Sequence, residues 1–202
     1  ISVRDTNSGN IIKELTDREP IYHLDPVLTY DYINKCNKIP NLNIKEKYLI
    51  LYAYSGRITD EEADWISSYA KSKNLKVYAI GGIQKCADKF IDCSPFEVLA
   101  YFKNAEEIIT DTFHGSIFSI INHKPFTTIV RKSKGNNYGN EEKLSDLLRR
   151  LQLENHMTYN IEDATNINAN ETNYDEVDQI IQDYRKQAKE YLKIYVLGDE
   201  NE

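Results

Sequence analysis

Short apolar runs alternate with amphipathic helical stretches along most of this 202-residue chain, and that alternation leaves few folds open. Lys47–Tyr54, Lys76–Ile80, Glu107–Asp111 and Thr127–Val130 read as strands, too apolar and too short for helices. Between them Thr59 starts a helix through Lys73, with Glu62 at the capping-box position and Ala63, Ile66 and Ala70 on one face. Ser94–Pro95 opens a second helix to Asn104, with proline in its first turn. Ser116–Asn122 and Glu141–Gln152 read as further helices. A short strand fits near Tyr159–Ile161, and Tyr174 to about Val196 is a long charged helix with Val177, Ile180, Ile181, Tyr184, Ala188 and Leu192 along one face. Strand and helix in strict turn predict an α/β fold, a parallel sheet covered on both faces.

Ahead of this pattern lie two short strands, Ile1–Arg4 and Ile21–Leu24, a helix that Ser8 can cap through Leu15, and a weak helix from Val27 to Asn37. Ile39–Asn43 reads as a linker. The stretch from Lys132 to Asn140 is rich in Gly, Asn and Lys, a loop composition. No apolar run approaches the roughly 20 residues a membrane crossing requires, and no signal peptide is visible. Cys36, Cys86 and Cys93 are an odd number without metal-ligand spacing, which favours a reducing, cytoplasmic setting. The net charge of −7 with no basic arm argues against nucleic acid as a partner, and leaves an anionic ligand only a local positive pocket.

His114 is the most informative candidate. It stands where the Ala105–Ile109 run gives way to Thr110–Asp111 and then to a helix, at the carboxyl edge of the sheet, where free backbone N–H groups attract anions. Gly115 either lets the backbone approach a ligand or makes the turn. In the plainer alternative the corner needs glycine for geometry and His114 caps or packs. Arg131 ends the neighbouring strand, so a guanidinium and an imidazole reach one rim, a suitable pair for an anionic substrate. Lys132 and Lys134 fit a solvated loop. Gly81–Gly82 closes a strand without nucleotide-loop spacing, and is read as a tight turn or room for a ligand at the same edge. Asp25–Pro26 reads as a turn and Arg4 as a salt-bridging residue. His23, His123 and His156 read as ordinary.

ITDTFHGSIFSI at 109–120, followed by Lys124–Pro125–Phe126, resembles the signature of the polysaccharide pyruvyl transferase family. Ile1–Asp5 with Ser8 and Asp25–Pro26 resembles its SVRD…S…DP stretch. Tyr48–Tyr52 resembles its central strand, Ser94–Glu97 its SPFE helix start, and Arg131 with Leu147–Leu148 its later positions; the likeness runs to about Leu153. The resemblance implies a Rossmann-like three-layer αβα domain, one half of a GT-B-like architecture. Residues 1–40 would then be the tail of an amino-terminal domain plus linker, and 41–202 the carboxyl-terminal domain. The final helix would lie back toward the missing domain, with Tyr174, Tyr184, Tyr191 and Tyr195 partly interface residues. The start at Ile1 fits a half cut from a longer chain that would not turn over alone.

The implied activity is transfer of a pyruvyl group from phosphoenolpyruvate to sugar hydroxyls of a cell-surface polysaccharide, forming a ketal, with no cofactor or metal beyond the donor substrate. His114 would act in acid/base or phosphate contact and Arg131 in charge stabilisation. Thr112, Phe113, Gly115 and Ser116, with Gly81 and Gly82, would bind substrate. Implied partners are phosphoenolpyruvate, a saccharide acceptor and the missing domain. The setting is cytoplasmic, with peripheral contact at the inner membrane face through a lipid-linked acceptor. The chain departs from the pattern at Thr112 and Lys143, where some members carry Arg. A GT-B-like half using a nucleotide sugar, or a non-catalytic interaction module, are the alternatives.

Overall fold

A computed structural model describes residues 1–132 and 139–198. The chain opens with β1 (Ser2–Val3), α1 (Thr6–Thr16) and β2 (Ile21–Tyr22), and the two strands pair in parallel with Ser2 opposite Ile21. Asp5, rather than Ser8, caps α1: its carboxylate accepts the Ser8 N–H at 2.8 Å. An acidic side chain just before the helix also faces the positive end of the dipole. The single weak helix predicted from Val27 to Asn37 is two short ones, α2 (Pro26–Thr29) and α3 (Tyr32–Lys35). Asp25 and Asp31 each cap a fresh turn, which divides the segment.

The main body runs β3 (Tyr48–Tyr52), α4 (Asp60–Ser72), β4 (Lys76–Ile80), β5 (Lys89–Phe90), α5 (Pro95–Asn104), β6 (Glu107–Thr110), α6 (Phe113–Ile121), β7 (Phe126–Ile129), α7 (Glu141–Arg150), β8 (Met157–Thr158), α8 (Ala164–Ala169) and α9 (Tyr174–Leu192). The six strands from β3 to β8 form one sheet in the order β5-β4-β3-β6-β7-β8, every neighbour parallel. The expected fold is the observed one. Both capping boxes are formed: Thr59 with Glu62 on α4, and Ser94 with Glu97 on α5. Two strands differ from expectation. β5 has exposed residues and no apolar signal, and β8 lies two residues before the predicted position.

Strand periodicity divides the core. Tyr48 and Ile50 of β3, Tyr78 and Ile80 of β4, Ile108 of β6 and Phe126 of β7 face one cluster, with α5, α6, α7 and α9. Leu49, Leu51, Val77, Ile109 and Ile129 face the other, with α4 and α8. Each wholly buried Leu or Ile contributes about 1.5–3 kcal/mol, so β3, buried on both faces, anchors the sheet.

The chain passes from β3 to β4 on one side and returns to β6 on the other. The winding therefore reverses between β3 and β6, and ligands of open α/β sheets bind at the carboxyl ends of such strands.

The long helix α9 lies against α2, where Arg185 Nε donates to the Leu28 carbonyl at 2.8 Å. Its tyrosines are mostly used within the chain. Tyr174 donates to the Lys124 carbonyl at 2.6 Å, Tyr184 lies under Arg150, and Tyr191 packs on His23. Tyr195, just beyond α9, is exposed. No helix among the described residues is long and apolar enough to cross a membrane.

Candidate functional site

The strand–helix corner after β6 is tighter than the sequence indicates. Helix α6 begins at Phe113, not Ser116, because Thr112 takes the cap: its hydroxyl accepts the Gly115 N–H at 2.9 Å. Thr110 fixes the strand side, donating its hydroxyl to the Tyr52 carbonyl at 2.7 Å and accepting the Thr112 N–H at 3.0 Å. Of the backbone donors from Thr112 to Ser116, only those of Phe113 and His114 have no partner among the described residues. Any anion held by this helix start must sit on those two. Gly115 serves close packing: a Cβ there would collide with the Thr110 hydroxyl and lie 2.8 Å from the Thr110 Cβ. Ser116 is buried, 2.8 Å from the Thr128 hydroxyl on β7, so its side chain joins helix to sheet.

His114 is half exposed, in the first turn of α6, with Nε2 3.9 Å from Oδ1 of Asp25. The other Asp25 oxygen accepts from Arg4 at 2.6 Å, and the Arg4 guanidinium lies over the Phe113 ring. Asp25 Oδ1 also accepts the Val27 N–H at 3.0 Å, capping α2. Asp25, read from sequence as a turn, is therefore the buried hub of this corner, and Arg4 is part of it. Sequence separation hid both; the only available signal was that they belong to motif segments shared with His114.

A second charged group lies behind the corner, at the winding reversal. Asp111 is wholly buried, and neither carboxylate oxygen has a hydrogen-bond partner among the described residues. Arg131 Nε stands 3.8 Å away and Arg57, in the turn after β3, 4.0 Å away. Burial pushes the Asp111 carboxyl up to about 6 against the pull of Arg57 and Arg131. Arg131 reaches the rim, but its two terminal nitrogens grip Glu62 at 2.7 and 3.0 Å. Asn140 straps the same edge, donating to the Asp111 carbonyl at 2.5 Å and accepting the Arg131 N–H at 2.6 Å. Arg57, Glu62, Asp111 and Asn140 thus join the site without any sequence signal for the contact.

Gly81 and Gly82 follow β4 on the same edge, two strands from β6. Gly81 has φ +85°, and a Cβ on Gly82 would lie 2.7 Å from the Ala53 carbonyl oxygen, so the pair makes a tight turn against the exit of β3. Lys132 lies over the Tyr159 ring, and Lys134 falls outside the described residues. His156 is buried and satisfied, contacting the Phe126 carbonyl and the Thr172 hydroxyl at 2.9 Å each. His123 meets Asp178 at 3.0 Å, and His23 is packed beside Tyr191. Burial raises the Cys86 thiol, and raises Cys93 to about 11, so neither is an activated nucleophile. Among the described residues no group of three His, Cys, Asp or Glu side chains could hold a metal ion.

Among family models, that of polysaccharide pyruvyl transferase matches residues 1–133. No curated protein sequence matches. Among solved structures, the UDP-GlcNAc 2-epimerase of Methanocaldococcus jannaschii, in complex with UDP-GlcNAc and UDP, aligns with a TM-score of 0.50 at 12% identity, over 90% of this chain and 59% of its own. A mutant O-GlcNAc transferase of Thermobaculum terrenum aligns with a TM-score of 0.47 at 11% identity, over 75% and 34%. The chain therefore spans about a third to three-fifths of these structures' length. At such identities the likeness shows the fold alone: a Rossmann-like αβα domain of the kind that forms one half of a GT-B-like architecture.

Proposed function

The chain belongs to the polysaccharide pyruvyl transferase family, and on that premise we propose that it forms part of a transferase acting between phosphoenolpyruvate and a saccharide of a cell-surface polysaccharide. A proton added to the methylene carbon of phosphoenolpyruvate leaves an oxocarbenium-like centre at the carbon bearing phosphate and carboxylate. One sugar hydroxyl attacks that carbon and gives up its proton. The C–O bond to phosphate breaks, and a second hydroxyl closes the cyclic ketal. The two hydroxyl protons end on the new methyl group and on phosphate, so the reaction balances without an oxidant or cofactor.

Such chemistry needs a proton carrier, a cationic clamp for carboxylate and phosphate, and exclusion of water. His114 is the proposed proton carrier, oriented by Asp25. The Phe113 and His114 N–H groups with Arg4 form the proposed anion clamp. Arg131, held by Glu62, supplies positive charge behind the corner and stabilises Asp111 as a carboxylate. Thr112, Gly115 and Ser116 build the corner, and Gly81–Gly82 shape its far side. The supporting observation is convergence: the segments around Arg4, Asp25 and His114, up to 110 residues apart, meet at one buried carboxylate. Inert strand–helix corners need no such meeting.

The test is incubation of the complete enzyme with phosphoenolpyruvate and lipid-linked oligosaccharides, read by mass spectrometry of the acceptor and by phosphate release. UDP- and GDP-sugars serve as comparators. Transfer of a sugar instead of a pyruvyl group would replace this reading with a glycosyltransferase one.

A further inference from the structure

Two segments face each other across the winding reversal: the turn over residues 53–59 that follows β3, and Asp111, which follows β6. Thr110 ties them together by donating to the Tyr52 carbonyl. The turn carries Arg57, and its state differs from that of the other cations at this edge. Arg4 is bonded to Asp25, Arg131 to Glu62, and Lys132 lies over the Tyr159 ring. The Arg57 guanidinium makes no hydrogen bond to any described residue; it rests on the half-exposed ring of Tyr54, with 34% of its own side chain open to solvent. Gly56 beside it has φ +77°, and a Cβ there would meet nothing within 4 Å, so the space over the turn is open. A planar fork of unused donors at a winding reversal suits a carboxylate or phosphate.

The group that Arg57 faces is Asp111, wholly buried, 4.0 Å away, and without a hydrogen bond to either oxygen among the described residues. The other charged groups around this carboxyl are Arg131, beyond β7, and Glu62, on α4. Two guanidiniums against two carboxylates leave the cluster neutral; a proton on Asp111 leaves it one positive charge in excess. An anion on Arg57 is therefore repelled by an ionised Asp111 and favoured by a protonated one. The Asp111 carboxyl, raised to about 6, changes charge close to neutral pH, so the exchange is within reach. We propose that Arg57 binds an oxyanion at the winding reversal and that Asp111 is its positioning residue, taking a proton from solvent as the anion arrives. The proposal rests on the reading of the chain as part of a transferase with an anionic donor. It adds to the His114 corner a second anion contact one strand away, and a proton that enters with the substrate.

The experiment is NMR of this chain, isotope-labelled on its amides, titrated with sulfate and with pyruvate, neither of which changes charge between pH 5.5 and pH 8. Phosphoenolpyruvate and UDP are separate arms. Sulfate or pyruvate should shift the amides of Gly56 and Arg57 with millimolar affinity, as a few hydrogen bonds to a small ligand provide. Affinity should fall by about tenfold from pH 5.5 to pH 8 as Asp111 gives up its proton. Asp111→Asn, neutral at every pH, should bind at pH 8 as tightly as the unaltered chain does at pH 5.5. Arg57→Gln should weaken binding by about tenfold or more at both pH values, with thermal unfolding unchanged. No shift at tens of millimolar, unchanged affinity in Arg57→Gln, or a pH dependence that persists undiminished in Asp111→Asn would overturn the proposal. UDP binding at Gly56 and Arg57 without a phosphoenolpyruvate response counts against the pyruvyl reading and leaves this one standing. Phosphoenolpyruvate shifting the Phe113 and His114 amides while those of Gly56 and Arg57 stay unmoved removes this one alone.

Discussion

Replacing Asp111 by Asn should make the protein more stable at neutral pH, although it alters a motif residue at the centre of the site. Asp111 is wholly buried with no hydrogen bond to either oxygen, and two guanidiniums at 3.8 and 4.0 Å only partly offset its lost hydration. Its carboxyl is raised from 3.8 to about 6 in the folded chain. At roughly 1.4 kcal/mol per pKa unit, that rise corresponds to about 3 kcal/mol. A raised carboxyl means the native state holds a proton that the unfolded chain has released. The linked stability is therefore greatest below pH 3.8 and falls as pH rises toward 6. Asp111→Asn removes this loss. Urea unfolding should show a gain of about 3 kcal/mol at pH 8, shrinking toward zero below pH 3.8, where the carboxyl is protonated in the folded and the unfolded chain alike. In thermal unfolding a chain of this size should gain roughly 6–12 °C at the higher pH. Destabilisation at pH 8, or a difference independent of pH, would refute the reasoning. Activity of the complete enzyme should fall, since Arg57 and Arg131 lose the charge between them.

Three further outcomes are expected. In the complete enzyme, His114→Ala should lower kcat by roughly a hundredfold or more, and His114→Gln should recover little, because an amide cannot exchange a proton near neutral pH; recovery by Gln with the loss confined to KM would reassign His114 to phosphate contact. Gly115→Ala should cost about 1–3 kcal/mol in urea unfolding, because the new methyl collides with Thr110, and an unchanged midpoint would contradict the close packing of α6 on β6. Arg131→Lys should cost about 1–3 kcal/mol, since a point charge cannot reproduce the fork on Glu62, and a double-mutant cycle with Glu62→Gln should show the two changes coupled.

What could be read from the sequence was local. The capping boxes at Thr59 and Ser94 and the strand Lys76–Ile80 depend on residues within a few positions of each other, and each appears where its pattern predicts. The sequence pattern starts α6 at Ser116 and misses its first turn; Thr112 caps it from Phe113, where Gly115 packs on Thr110, and that contact has no one-dimensional signature. Strand β5 carries no apolar code because it is an exposed edge of two residues. The site was legible in part. His114 and Arg131 could be placed on one rim from strand order alone. That Arg131 would be gripped by Glu62, 69 residues away, could not be read. The same is true of Asp25 and Arg4, whose place beside His114 depends on how residues 1–40 pack on the sheet.

Arg150, near the end of α7, donates to the carbonyls of Arg4 and His23 at 2.8 and 2.9 Å, spanning 146 and 127 residues, while its guanidinium rests on Tyr184 of α9. This closure bears on the order in which the protein is made. When α6 has emerged from the ribosome, Arg4, Asp25 and His114 are all outside, but the arginine that holds the backbone around the first two is not. Closing so long a loop adds little entropy per extra residue, yet it must wait for the last partner to emerge. The corner therefore matures only after α7 docks, and a nascent chain carries its chemistry unassembled until Arg150 has emerged.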